Sequence, residues 1–241
     1  MSGLQVPIAD CRDCSFRASL LAAGRCTPGD SCVAAQSGRQ IDRFFRNTPQ
    51  VAVQYLADPF WERRAIAVRY APLEELVRLV DDSDEVVRRA VAYRLPREQL
   101  ATLMHDEDRE VRITVADRLP PEQLERMAED PDYLVRGYVV QRIAPGRLFR
   151  FMRDADREVR KRVAQRLPEE SLGLMMFDAE PEIRRIVASR LRGEDLLELL
   201  HDPDWTVRLA AVENAPLAAL RRLDEHDPEV RRALDERLQG V

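Results

Sequence analysis

Four cysteines are the residues of this 241-residue chain best suited to chemistry: Cys11, Cys14, Cys26 and Cys32, spaced C-x2-C-x11-C-x5-C, with none in the remaining 209 residues. Clustering this tight implies a shared ligand. A disulfide pair would require an oxidising compartment, for which the sequence carries no signal. A structural zinc ion also takes four thiolates, but usually from two close pairs, and here the second pair is opened to C-T-P-G-D-S-C. A [4Fe–4S] cluster tolerates asymmetric spacing, because each of its four irons needs one thiolate. Spacing leaves all three open and leans toward the cluster. Four thiolates around an oxidised core leave a net −2, which Arg12, Arg17 and Arg25 can partly offset while Asp10 and Asp13 oppose it. The same arginines are equally well explained as solvated surface. With every iron held by Cys, none is open to substrate, so one-electron transfer, redox sensing or plain structural support remain. The absence of C-x3-C-x2-C weighs against radical S-adenosylmethionine chemistry.

Little else in the chain can do chemistry. There is no glycine-rich phosphate loop, nucleophile elbow or pair of His four apart, so no enzymatic activity is expected. His105 and His201 hold the same repeat place four units apart and His226 is terminal, so they cannot share a metal. Trp61, Trp205, Met104, Met152 and Met176 read as core or cap packing. The chain is 45% apolar and 34% charged, with net charge −5. Residues 1–50 carry +2 and the rest −7, which argues against nucleic acid as a partner. Of the 38 basic residues only Lys161 is not Arg, which suits repeated internal ion pairs, although codon bias explains it equally well. No apolar run is long enough to span a bilayer and the start lacks a secretory signal, so a soluble, cytoplasmic protein is expected.

The elements that must carry the cysteine segment repeat every 24 residues. Seven units fill residues 57–224, with Asp58, Asp82, Asp106, Asp130, Asp154, Asp178 and Asp202 at the second place and Arg64, Arg88, Arg112, Arg136, Arg160, Arg184 and Arg208 at the eighth. A shifted partial eighth closes the chain. Apolar residues at places seven, eleven, twelve and fifteen (Val87, Val91, Ala92, Leu95) make one helical stripe. The second-place Asp, followed by Pro59, Pro131 or Pro203, predicts the N-cap, and Asp82 with Glu85 fits a capping box. Pro72, Pro96, Pro120, Pro168 and Pro216 mark the end, leaving about eleven residues of α-helix. Leucines three apart, such as Leu100 and Leu103, predict a short 3₁₀ or single-turn helix in the second half. Neighbouring units must stack to bury a core, which gives a solenoid.

The eighth-place Arg lies beside the apolar stripe, so its charge needs a partner. The recurring Asp of the same or adjacent unit supplies one, predicting two parallel ladders of opposite sign. Places nine, ten and thirteen should be exposed; in the middle units these are Gly137, Tyr138, Gln141, Lys161, Arg162 and Gln165, with Phe149 and Leu174 as exposed apolar spots. Residues 36–56 read as a degenerate capping half-unit, docked rather than flexible, with Phe44 and Phe45 filling the junction.

The unit D-x-D-x-x-V-R-x-x-V-A-x-R-L-P-x-x-x-L-x-x-L resembles the leucine-rich repeat variant family. HEAT repeats share D-x-x-V-R, but their period is longer. The resemblance implies an all-α, right-handed solenoid alternating α- and 3₁₀-helices. It also strengthens the cluster reading, because some members are preceded by a small cluster-binding domain with four Cys similarly placed. Departures at Arg63, Ala67, Ala144, Arg192-Gly193 and Asn214 suggest softer caps or local bends. The expected organisation is a four-cysteine iron–sulfur module (1–35), a junction (36–56) and the solenoid (57–241). The expected function is a repeat scaffold that binds an unidentified protein and holds a redox or structural 4Fe–4S cluster on Cys11, Cys14, Cys26 and Cys32. An electron-transfer component and a zinc-stabilised scaffold are the alternatives.

Overall fold

The computed structural model describes residues 8–239, so the first seven residues assigned to the module and the last two of the solenoid lie outside the described residues. Two compact units, Met1–Pro120 and Pro121–Val241, divide the chain. The division falls inside the repeats. Helices and turns make up both units, and the described residues contain a single isolated bridge, Thr27 with Ser31, and no strand.

In the first unit the helices Gly38–Asn47, Trp61–Val68, Glu85–Arg94 and Arg109–Arg118 pack successively against one another. Each of the last three repeats the stripe: Val87, Val91, Ala92 and Leu95 are wholly buried. Between them run Leu73–Leu76 with Val77–Leu79, and the 3₁₀-helix Arg97–Leu103. Three residues per turn put Leu100 and Leu103 on one edge, and both are buried. The second unit repeats this with Tyr133–Arg142, Arg157–Arg166, Pro181–Arg190, Trp205–Asn214 and Pro228–Gln239, separated by one-turn α-helices or short 3₁₀-helices. At Gly193 the backbone turns through φ 79° and the following 3₁₀-helix, Glu194–His201, runs to eight residues.

The helix start differs from the sequence expectation. The N-cap is the fourth-place acid: Asp84, Asp108, Asp132, Asp156 and Asp204 each accept a backbone N–H two residues on. The second-place Asp stands two residues earlier and accepts the N–H of that cap, as Asp82 does from Asp84 at 2.9 Å. Asp82 and Glu85 therefore form no capping box. The helices from Glu85–Arg94 to Trp205–Asn214 are ten residues long, and Leu95, before Pro96, leaves the helical region at ψ 144°, as expected of a residue preceding proline.

The ion ladder runs forward. Five of the eighth-place arginines make a two-pronged pair with the second-place Asp of the following repeat: Arg64 with Asp82 and Arg88 with Asp106 in the first compact unit, and Arg136 with Asp154, Arg160 with Asp178 and Arg184 with Asp202 in the second, all at 2.7–3.1 Å. The remaining prong, Nη1, returns to the second-place carbonyl of its own unit, as Arg88 does to Asp82 at 2.8 Å. Arg208 finds Glu225, whose place in the shifted eighth unit is one residue early. At the other end Gln40 stands 18 residues before Asp58 where the frame has Arg, and Arg63 takes that carboxylate instead at 2.9–3.0 Å.

A second ladder went unread in the sequence. The fourteenth-place Arg donates backward to carbonyls at the end of the preceding unit's helix: Arg94 to Val68 and Ala71, Arg118 to Ala92 and Leu95, Arg166 to Val140 and Ile143, Arg190 to Ala164 and Leu167. These are the acceptors that a helix end leaves without an internal partner. Asn214 replaces the Arg with a weaker reach to Ala188 at 3.4 Å. Burial pushes the Arg118 and Arg166 guanidinium groups below their ordinary pKa.

Of the side chains expected at the surface, Gln141 and Gln165 are exposed, and Phe149 and Leu174 are 64% and 70% exposed. Tyr138, Lys161 and Arg162 are half-buried, and Gly137 is buried. A side chain at Gly137 would collide with the Arg162 guanidinium that lies over it. Trp61 and Trp205 are not core residues: each opens a helix and is some 40% exposed.

Candidate metal centre

Local hydrogen bonding explains how the four cysteines are presented. Cys14 N–H donates to the Cys11 carbonyl at 3.4 Å, closing the first pair into a turn, and Arg17 N–H caps Cys14 at 3.0 Å. A single π-helical turn, Arg17–Leu21, follows. The chain then reverses at Gly24, φ 67°, so that Arg25 and Cys26 both donate to the Leu20 carbonyl. Thr27 and Ser31 exchange two backbone hydrogen bonds of 2.8 Å around Gly29, φ 85°. Cys26 and Cys32 flank this closed turn, so the pair that looks opened in sequence is closed in space. The spacing argument against zinc therefore does not survive the structure.

The thiols are free, with Cys32 buried and the other three half-buried. Burial and then the neighbouring thiols Cys32 and Cys14 push Cys11 above the ordinary cysteine pKa. Burial and the other three thiols do the same to Cys26. Thiols that resist ionising, as those of Cys11 and Cys26 do, become thiolates beside concentrated positive charge, as a metal centre supplies. Yet no three or more of the described Cys, His, Asp and Glu are gathered as a single metal ion would require. A lone tetrahedral zinc demands sulfurs about 3.8 Å apart, from Zn–S bonds of about 2.3 Å. A cube with one thiolate at each iron also takes four cysteine sulfurs, which is the donor set this segment offers.

Of the three nearby arginines, Arg12 is taken by Asp10 at 2.5–3.1 Å. Arg25 donates to the Asn47 carbonyl at 2.9 Å, and Arg17 acts on Cys11, lowering its pKa against the other influences. Aromatic rings anchor the segment to the repeats. Phe16 packs on Phe44 at 5.4 Å and lies 6.5 Å from Tyr55; Phe45 meets Tyr55 at 5.4 Å and Tyr70 at 6.1 Å. Arg43 pairs with Asp30, Asn47 reaches the Ser31 hydroxyl at 3.4 Å, and Cys32 N–H donates to the Gln40 carbonyl at 3.1 Å. The junction is thus docked, and Phe44 and Phe45 fill it. Burial, then the charge of Cys14, pushes Tyr55 up to about 12. Tyr55 falls in the repeat frame with Ala52, whereas Phe16 and Tyr70 are isolated aromatics that carry no spacing signal.

His105, His201 and His226 are exposed, in keeping with solvated side chains. No helix among the described residues is long and apolar enough to cross a membrane.

Comparison with known proteins agrees with this arrangement. Residues 5–54 match the family model described as LRV protein FeS4 cluster, and residues 86–108, 109–132 and 181–204 match leucine rich repeat variant. A solved structure described as a leucine-rich repeat variant with a novel repetitive protein structural motif is 81% identical. It superposes with a TM-score of 0.93, over 96% of this chain and 100% of its own. An uncharacterized 27.7 kDa protein in the nifB 3' region of Rhodobacter capsulatus is 38% identical over 87 residues, 36% of this chain. The match spans 35% of that relative's length.

Proposed function

Because the chain belongs to the leucine-rich repeat variant proteins with an N-terminal FeS4 cluster domain, we propose that it is a non-catalytic, cytoplasmic scaffold that binds a protein partner and carries a 4Fe–4S cluster on Cys11, Cys14, Cys26 and Cys32. One observation carries the reading: the four free thiols act on one another electrostatically in a segment docked onto the first repeats by five aromatic rings. When bound, such a cluster supplies one-electron redox chemistry or a rigid crosslink. The chain's own part is to hold and shield it. Cys11 and Cys14 come from one turn, and Cys26 and Cys32 come from either side of another. The Phe16 ring sets the segment against Tyr55 at 6.5 Å, and Arg17 offsets negative charge near Cys11. Partner binding rests on the long row of helix faces that stacked repeats display.

Anaerobic purification with iron, sulfide and zinc analysis tests the cofactor. Equal iron and sulfide at about four per chain, lost in each single Cys→Ser variant, is the expected result. Paramagnetic resonance before and after dithionite separates a cycling cluster from a structural one. Stoichiometric zinc, or a Cys→Ser variant that keeps its iron, would overturn the assignment.

A further inference from the structure

A groove of about 400 Å³ lies between the helices Trp61–Val68 and Glu85–Arg94. Its floor is small or apolar, Ala65, Ala90 and Val86, and its walls are Arg69, Arg89, Arg94 and Tyr93. No carboxylate lines it, in a chain where acids outnumber bases by 43 to 38.

From this groove we infer a docking site for an acidic peptide segment of a partner protein. The inference deepens the scaffold reading and rests on it. Each wall residue is presented differently. Arg94 is held by the Val68 and Ala71 carbonyls at 2.7 and 3.2 Å, which fix its direction without cancelling its charge. Arg89 lies over the Tyr93 ring at 5.8 Å, and its carboxylate neighbour, Glu110, is 3.9 Å away with both side chains over 40% exposed. Arg69 reaches Asp42 at 3.5 Å, but that carboxylate is shared with Arg46 at 2.6 Å and with the Tyr70 hydroxyl at 2.9 Å. Positive charge is therefore in local excess, partly fixed in direction, beside an aromatic ring that is 54% exposed. Arginine and tyrosine around a small apolar floor are the side chains over-represented where protein partners bind most strongly. Planar guanidinium forks suit peptide carboxylates, and the groove is a half-open cleft rather than an enclosed cavity.

Fluorescence anisotropy with a dye-labelled decaglutamate peptide and the full chain carrying its metal tests this. Expected is saturable binding that weakens with added salt and falls at least about tenfold in Arg69→Glu/Arg89→Glu. It should persist in Arg157→Glu, an equally exposed charge elsewhere, and recover in part in Arg69→Lys/Arg89→Lys. Melting curves check that each variant is folded. Equal loss in Arg157→Glu, no effect of the groove variant, or tighter binding of a single-stranded oligonucleotide would each overturn the inference. If decaglutamate fails but decalysine or decaserine binds, only the groove assignment falls. If none of the three binds, the scaffold reading falls with it.

Discussion

Arg160 and Arg89 carry the same charge one place apart in the repeat, but in different surroundings. Arg160 and its partner Asp178 keep only 13% and 6% of their side-chain surface, whereas Arg89 is 43% exposed beside an equally wet Glu110. Removing one member of a covered pair strands the other without water, at about 3–5 kcal/mol, while a solvated pair contributes under about 1. Arg160→Ala is therefore expected to lower urea-unfolding stability by several times more than Arg89→Ala; equal shifts in midpoint would reject the covered ladder. Both Arg and Asp were visible in the sequence because the period returns them, and their pairing followed from burial of the Arg stem. That the pair crosses to the next unit follows only from the stack. Arg190 shows the limit more sharply. Its recurrence is equally plain, but its acceptors are main-chain carbonyls of another unit, and carbonyls leave no mark on a residue pattern. Arg190→Ala should cost about 1–3 kcal/mol, the penalty of leaving buried acceptors without donors.

The same ambiguity between side chain and main chain moved the start of every helix. Two Asp stand two residues apart in five of the seven full repeats, and Asp caps helices well. Proline at place three made the earlier one look like the cap, but the earlier acid is the ladder partner and the later one caps. The closed turn between Cys26 and Cys32 was hidden for a related reason: C-T-P-G-D-S-C separates the cysteines by count, and only the hydrogen bonds between Thr27 and Ser31 bring them back. That turn depends on Gly29 at φ 85°, where an L side chain costs about 1–2 kcal/mol. Gly29→Ala should loosen the turn and reduce bound iron per chain. Gly146→Ala, at an ordinary φ with open space around it, should leave iron content unchanged. Full iron content in Gly29→Ala would show that the turn does not set the ligand geometry.

Across the repeats, the fold was legible because one solution is used many times, so each sequence feature could be checked against its copies. The cysteine segment occurs once and offered no such check, and its closure was the feature least visible. Repetition also sets how the protein should respond to acid. In the second unit, burial alone would raise the pKa of Asp154 and of Glu225. The Arg136 guanidinium and the Asp156 N–H hold Asp154 below its usual value, and Arg208 with the N–H groups of Asp227 and His226 does so for Glu225. A carboxylate whose folded pKa is depressed takes up its proton more readily in the unfolded chain. The stability it contributes is then complete above the unfolded values of 3.8 and 4.5 and is lost as pH falls through the lower folded ones. Because these two rungs each join neighbouring repeats, and a repeat alone buries too little to stay folded, protonating them should cost interface as well as pairing. Urea midpoints are therefore expected to stay level from neutral pH down to about pH 5 and to fall steeply below about pH 4. Asp154→Asn, which carries no charge to lose, should start lower at neutral pH and fall less steeply in acid. Parallel acid limbs for the variant and the parent chain would show that the ladder is not what titrates.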